Sequence, residues 1–94
     1  ESPRRIEGAV LRGQILGESS NMARQLANEP GNTLTPREFA ERAAQVVADS
    51  GASMEVLDET RIAELGMGML LGVARGSGEP PRVMVFRHDP PGAL

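Results

Sequence analysis

The stretch from Leu65 to Arg87 constrains the fold more than any other part of this 94-residue chain. It holds an uncharged apolar segment ending at Ala74, a break at Gly76-Ser77-Gly78, and the apolar run Val83-Met84-Val85-Phe86. That run is rich in the β-branched and aromatic residues typical of strands. Its apolar residues are consecutive, which is typical of a strand covered on both faces. The sequence therefore predicts part of a larger α/β domain, with the chemistry lying outside this chain.

The composition limits which functions the chain can perform. With 94 residues it can form at most one small domain. It has no Cys, and all ten basic residues are Arg, which excludes a thiolate metal site, a Walker-A loop and a Schiff-base lysine. The net charge of −3 argues against bulk attraction to nucleic acid. No apolar run approaches the length of a membrane span.

Helical spacing from about Ile6 to Ala27 predicts a first helix. Three glycines interrupt it, each costing about 1 kcal/mol relative to alanine, so tertiary contact must hold this helix. Gly13 and Gly17 lie on one face of this helix and would let another backbone come close to it. Alternatively, the two glycines are merely tolerated, or they mark a break in the helix near Gly17. The predicted apolar stripe consists of Leu11, Ile15, Met22 and Leu26.

The second helix has the clearest local signal. Pro30-Gly31 predicts a type II turn after the first helix. Thr35-Pro36-Arg37-Glu38 is typical of a capping box with proline at the first helical position. We expect the helix to run to about Ser50 and to end at Gly51. Its predicted buried side consists of Phe39, Ala43, Val46 and Val47.

The order of elements predicts the fold class. Residues Ser53 to Leu57 form a short predicted strand, and Asp58 is placed to cap a helix from Glu59 to Leu65, closed by Gly66. Strand, helix and strand in this order favour two parallel strands joined by a right-handed crossover. Two strands are too few for an independent sheet. The expected fold is therefore a partial three-layer α/β domain with parallel strands and an incomplete sheet.

One glycine motif and one serine are weak candidates for a nucleotide-binding or catalytic site. Gly66-x-Gly68-x-x-x-Gly72 is similar to a dinucleotide-binding loop, but its spacing differs by one residue and it follows no predicted strand. Close backbone packing explains it better. Ser77 does not fit the Gly-x-Ser-x-Gly motif of a nucleophile elbow, because Arg75 stands where its first glycine would be. We interpret Ser77 as a loop residue.

The titratable and sulfur-containing side chains have simpler structural interpretations. His88-Asp89 could supply two metal ligands, but neighbouring strand residues point to opposite faces, so a solvated strand end is favoured. The carboxylates of Asp58, Glu59 and Glu64 are best explained as charges at the start of a helix and on the protein surface. The five methionine side chains are predicted to fill space in the apolar core: Met22, Met54, Met67, Met69 and Met84.

Two blocks of the sequence carry a resemblance to a known family. The first is Met-Ala-Arg-Gln-Leu-Ala-Asn-Glu-Pro-Gly-Asn at residues 22–32, followed by Leu34-Thr35-Pro36. The second is Met-Gly-Met-Leu-Leu-Gly-Val-Ala-Arg-Gly-Ser at residues 67–77, followed by Pro80-Pro81 and the apolar strand. Both resemble segments of the leucyl aminopeptidases, the dinuclear-metal cytosol aminopeptidases. The resemblance covers about residues 9–87.

The resemblance implies a domain organisation. Residues 1–31 would be an interdomain linker helix with its turn. Residues 32–94 would be the truncated N-terminal portion of the α/β catalytic domain. The family's metal-binding residues lie further along, in a Lys-Gly-x-Thr-Phe-Asp-x-Gly-Gly segment and an Asn-Thr-Asp-Ala-Glu-Gly-Arg segment, and neither occurs here. No catalytic, cofactor-binding or metal-binding residue is therefore predicted in this chain.

The resemblance also implies a function for the complete protein. It would be a cytoplasmic homohexamer that removes N-terminal residues, often leucine, from peptides, using two divalent ions, manganese or zinc. This segment would be scaffold, inactive alone and binding no metal, with the remainder of the catalytic domain as its partner. The alternative is a free-standing small α/β binding or assembly module without catalysis. A soluble, cooperative, monomeric fold would favour that alternative.

Overall fold

The computed structural model describes residues 2–93, which form helices and a small sheet. The chain divides into two compact units, one ending at Pro30 and the other beginning at Gly31. The predicted α/β class is confirmed. In chain order the elements are α1 (Pro3–Asn28), α2 (Pro36–Ala48), β1 (Ser53–Leu57), α3 (Glu59–Glu64), α4 (Gly68–Ala74) and β2 (Val83–Arg87).

Helix α1 is continuous through its three glycines, so no break occurs near Gly17. It begins with Pro3, and it ends where Glu29 takes an extended conformation before Pro30, as the residue preceding a proline favours. None of its described residues is buried, and the side chains of the predicted stripe lie at the surface or are half-buried. Within residues 2–93, no heavy atom outside the local helix backbone lies within 4 Å of a Cβ built on Gly13 or Gly17. The tertiary contact that would hold this helix stays a prediction.

The turn after α1 differs from the sequence prediction. The positive φ angles of the described residues belong to Gly51, Gly66 and Gly92. Gly31 is not among them, so it lacks the conformation that a type II turn at Pro30-Gly31 requires. The turn lies over residues 31–33, with Gly31 as its first residue. The Pro-Gly pair therefore does not form the centre of the turn.

Helix α2 begins as its capping sequence predicts. The Thr35 Oγ1 accepts a hydrogen bond from the Glu38 backbone N–H at 3.2 Å. The Glu38 carboxylate forms an ion pair with the Arg42 guanidinium one turn later, at 3.0 Å. The helix is followed by Gly51, whose φ of 79° is in the left-handed region. The predicted start of this helix is confirmed, and its last residue lies two positions earlier than predicted.

We expect Thr35→Ala to lower the free energy of unfolding by about 1 kcal/mol, because the Glu38 amide loses its acceptor. Urea denaturation followed by circular dichroism would measure the change. Thr33→Ala is the matched control, since Thr33 lies exposed in the preceding turn. An equal loss in both variants would contradict the capping role.

The two strands pair in an antiparallel sheet, so the predicted parallel pairing is wrong. In the observed register Leu57, the last residue of β1, lies opposite Val83, the first residue of β2. The connection between the strands thus starts and finishes at the same end of the sheet. A crossover to a parallel strand would have to return the chain to the opposite end.

The connection between the strands holds two short helices, α3 and α4, with Gly66 between them. The predicted end of the first of these helices at Gly66 is confirmed. Gly66 has a φ of 73°, and its amide donates to the Ala63 carbonyl at 3.0 Å. Helices of six and seven residues are roughly 9 and 10 Å long, whereas the five-residue strands are about 17 Å long. Neither helix is long enough to carry the chain back to the opposite end of the sheet, which is the physical reason that the parallel prediction fails.

The buried core of the described residues is small. It consists of Ala40 from α2, Leu57 from β1 and Ile62 from α3. The predicted buried side of α2 is only partly correct, because Val46 is 50% exposed and Ala40 is buried instead. Large apolar residues lie exposed on α1, α4 and both strands. This distribution matches a domain whose apolar surface is larger than these residues can cover by themselves.

Candidate functional site

The acidic side chains around α3 are occupied by local structural contacts. The Asp58 Oδ1 accepts from the Arg61 backbone N–H at 2.9 Å, which makes Asp58 the N-cap that the sequence predicts. The Glu64 carboxylate pairs with the Arg61 guanidinium at 3.2 Å. Both partners of this pair are more than half exposed, so it adds only tenths of a kcal/mol. These residues stabilise the helix and form no reactive cluster.

Glu59 makes a longer-range contact that the sequence did not predict. Its carboxylate accepts from Arg82 Nη1 at 2.7 Å, across 23 residues of chain. The same Arg82 nitrogen donates to the Pro81 carbonyl at 2.8 Å, and the Arg82 side chain is only 16% exposed. The pair ties the start of α3 to the residue before β2. No local sequence signal indicates it, because helical and strand periods do not relate residues so far apart.

The glycine-rich motif does not form a nucleotide-binding loop. Gly66 ends a helix, Gly68 opens α4 and Gly72 lies within it, whereas a dinucleotide loop follows a strand. The predicted close backbone packing is also not made within residues 2–93. No atom of another segment lies within 4 Å of a Cβ placed on any of the three. Gly66 is required by its φ angle, and the other two have no such requirement here.

We expect Gly66→Ala to lower the free energy of unfolding of this chain by about 1–2 kcal/mol, because alanine is strained at positive φ. Gly72→Ala is the matched control. It should be neutral or stabilising by up to about 1 kcal/mol, because it lies in a helix with open space around it. Thermal and urea unfolding would compare the two variants. The assignment fails if Gly66→Ala is the better tolerated.

Ser77 and His88 are not brought into a catalytic arrangement. The Ser77 Oγ accepts from the Glu79 backbone N–H at 3.1 Å, which stabilises the loop between α4 and β2. His88 and Asp89 are exposed just after β2, as a solvated strand end predicts. Ser77 is therefore a loop residue, and neither motif has the nucleophile–base contact that covalent catalysis requires.

The methionines do not fill a core in this chain. None of the five is buried, and Met69 is 90% exposed. Met69 lies with Leu70 and Val73 on one side of α4, and Val73 is 87% exposed. We call these three residues the outer face of α4. It is a continuous apolar surface on a helix without a single polar side chain.

The described residues provide no candidate metal centre. Between residues 2 and 93, no group of three or more acidic or histidine side chains is placed to hold an ion. The same part of the chain has no helix long and apolar enough to span a membrane. The features that remain are the outer face of α4 and the apolar strand β2, whose Phe86 is 52% exposed. Both are surfaces for packing and carry no reactive group.

Comparison with known proteins shows which family the chain belongs to. The sequence model described as the cytosol aminopeptidase family, catalytic domain, matches residues 21–93. The chain belongs to the cytosol aminopeptidase family. This confirms the resemblance carried by the blocks at residues 22–32 and 67–77. The match begins within α1 and includes all the elements from α2 to β2.

Curated members of the cytosol aminopeptidase family align over most of this chain. A "probable cytosol aminopeptidase" of Solibacter usitatus is 51% identical over 85 residues, which is 90% of this chain but 18% of the relative. Those of Rhizobium meliloti and Alkaliphilus metalliredigens are 47% and 40% identical, with 16% and 17% of their lengths covered. The chain thus spans less than a fifth of these relatives. No solved structure matches it significantly.

Proposed function

We propose that this chain is a structural segment of a metal-dependent aminopeptidase that removes N-terminal residues, leucine among them, from peptides. The observation that carries the proposal is the match of residues 21–93 to the catalytic domain of the cytosol aminopeptidase family. Its relatives are named as aminopeptidases, which act on the free amino end of a peptide. The complete protein would be a cytoplasmic homohexamer.

The proposed role of this segment is scaffold. Two divalent ions, manganese or zinc, would polarise the scissile carbonyl and activate water in the complete enzyme. Residues 2–93 offer no group of ligands that fits such ions. No step of the reaction is therefore assigned to a residue of this chain. Its catalytic contribution would be indirect, through support of the strands that carry the site.

The apolar surfaces support this scaffold role. Helix α4 is apolar all round, a pattern typical of helices in the interior of large domains. Strand β2 has one neighbour in the described sheet, so its outer edge can accept a further strand. We propose that the remainder of the catalytic domain covers the outer face of α4. In that setting Gly72→Ala, neutral in this chain alone, would lower the stability or activity of the complete enzyme.

We propose that residues 1–31 are the interdomain linker helix with its turn and that residues 32–94 open the catalytic domain. The separation of the chain into units at Pro30 and Gly31 supports this division. The family match includes the end of α1, as expected if the linker leads directly into the catalytic domain.

The test is hydrolysis of leucine amide with added manganese or zinc. We expect turnover by the complete protein and none by the 94-residue chain under the same conditions. Hydrolysis by the short chain would overturn the scaffold role. Failure of the complete protein with either metal would overturn the aminopeptidase proposal. A cooperative, monomeric fold of the short chain, together with no hydrolysis by the complete protein, would favour a free-standing module.

A further inference from the structure

We draw no further inference here: the strongest candidate, the exposed apolar stripe of α1 formed by Leu11, Ile15 and Met22, is an unpartnered helix face, and nothing in the structure shows what covers it.

Discussion

Ile62→Ala is expected to lower the free energy of unfolding by about 2–5 kcal/mol, the usual range for truncating a buried isoleucine. Ile62 is the one large side chain of the described residues that is fully buried. The substitution removes apolar contacts and leaves a cavity that the surrounding helices and strands can only partly close. Because small domains are stable by only about 5–15 kcal/mol, such a loss takes a large share of the total.

An isoleucine-to-alanine substitution at an exposed site shows how much of the stability loss at Ile62 is due to burial of the side chain. Ile15→Ala removes the same atoms from α1, where the isoleucine is 55% exposed. We expect its effect to stay within about 0.5 kcal/mol. Urea denaturation of both variants, followed by circular dichroism, makes the comparison. Equal losses would mean that Ile62 is not the centre of this core.

Met69→Glu is expected to have little effect on stability in the 94-residue chain and a large effect in the complete enzyme. In the 94-residue chain the change should be within about 0.5 kcal/mol, because Met69 is 90% exposed and lies in the first turn of α4. In the complete aminopeptidase it should cost about 3 kcal/mol or more, because the proposed cover would bury an unpaired carboxylate. The loss would appear as a lower melting temperature and lower activity.

Thr60→Glu is the matched control for this experiment. It places the same charge at the equivalent position of α3, on a residue that is also exposed. We expect it to be tolerated in both proteins. If Met69→Glu is equally harmless in the complete enzyme, the outer face of α4 is not covered there. That result would remove the structural support for the scaffold role.

The features that the sequence predicted correctly are those set by neighbouring residues. The Thr35 and Asp58 caps and the left-handed glycines at 51 and 66 all depend on contacts or backbone angles within a few positions. Side-chain oxygens reach the amide three residues later whatever the rest of the chain does. Such signals can be read from a short window of sequence.

The features that it missed depend on distant parts of the chain. The direction of β2 is set by how α3 and α4 return the chain, and no periodicity in residues 58–82 encodes that path. Burial of Ala40 in preference to Val46 similarly depends on which side of α2 meets the sheet. That no metal-binding residue lies in this chain stays a prediction.

The register that places Leu57 opposite Val83 has a consequence for the timing of folding. Both strands and their connection lie within residues 53–87, so the pair can form as soon as that stretch leaves the ribosome. A strand that had to wait for a distant partner would remain open for longer. During synthesis we therefore expect this antiparallel pair to be among the earliest native strand pairings of the chain.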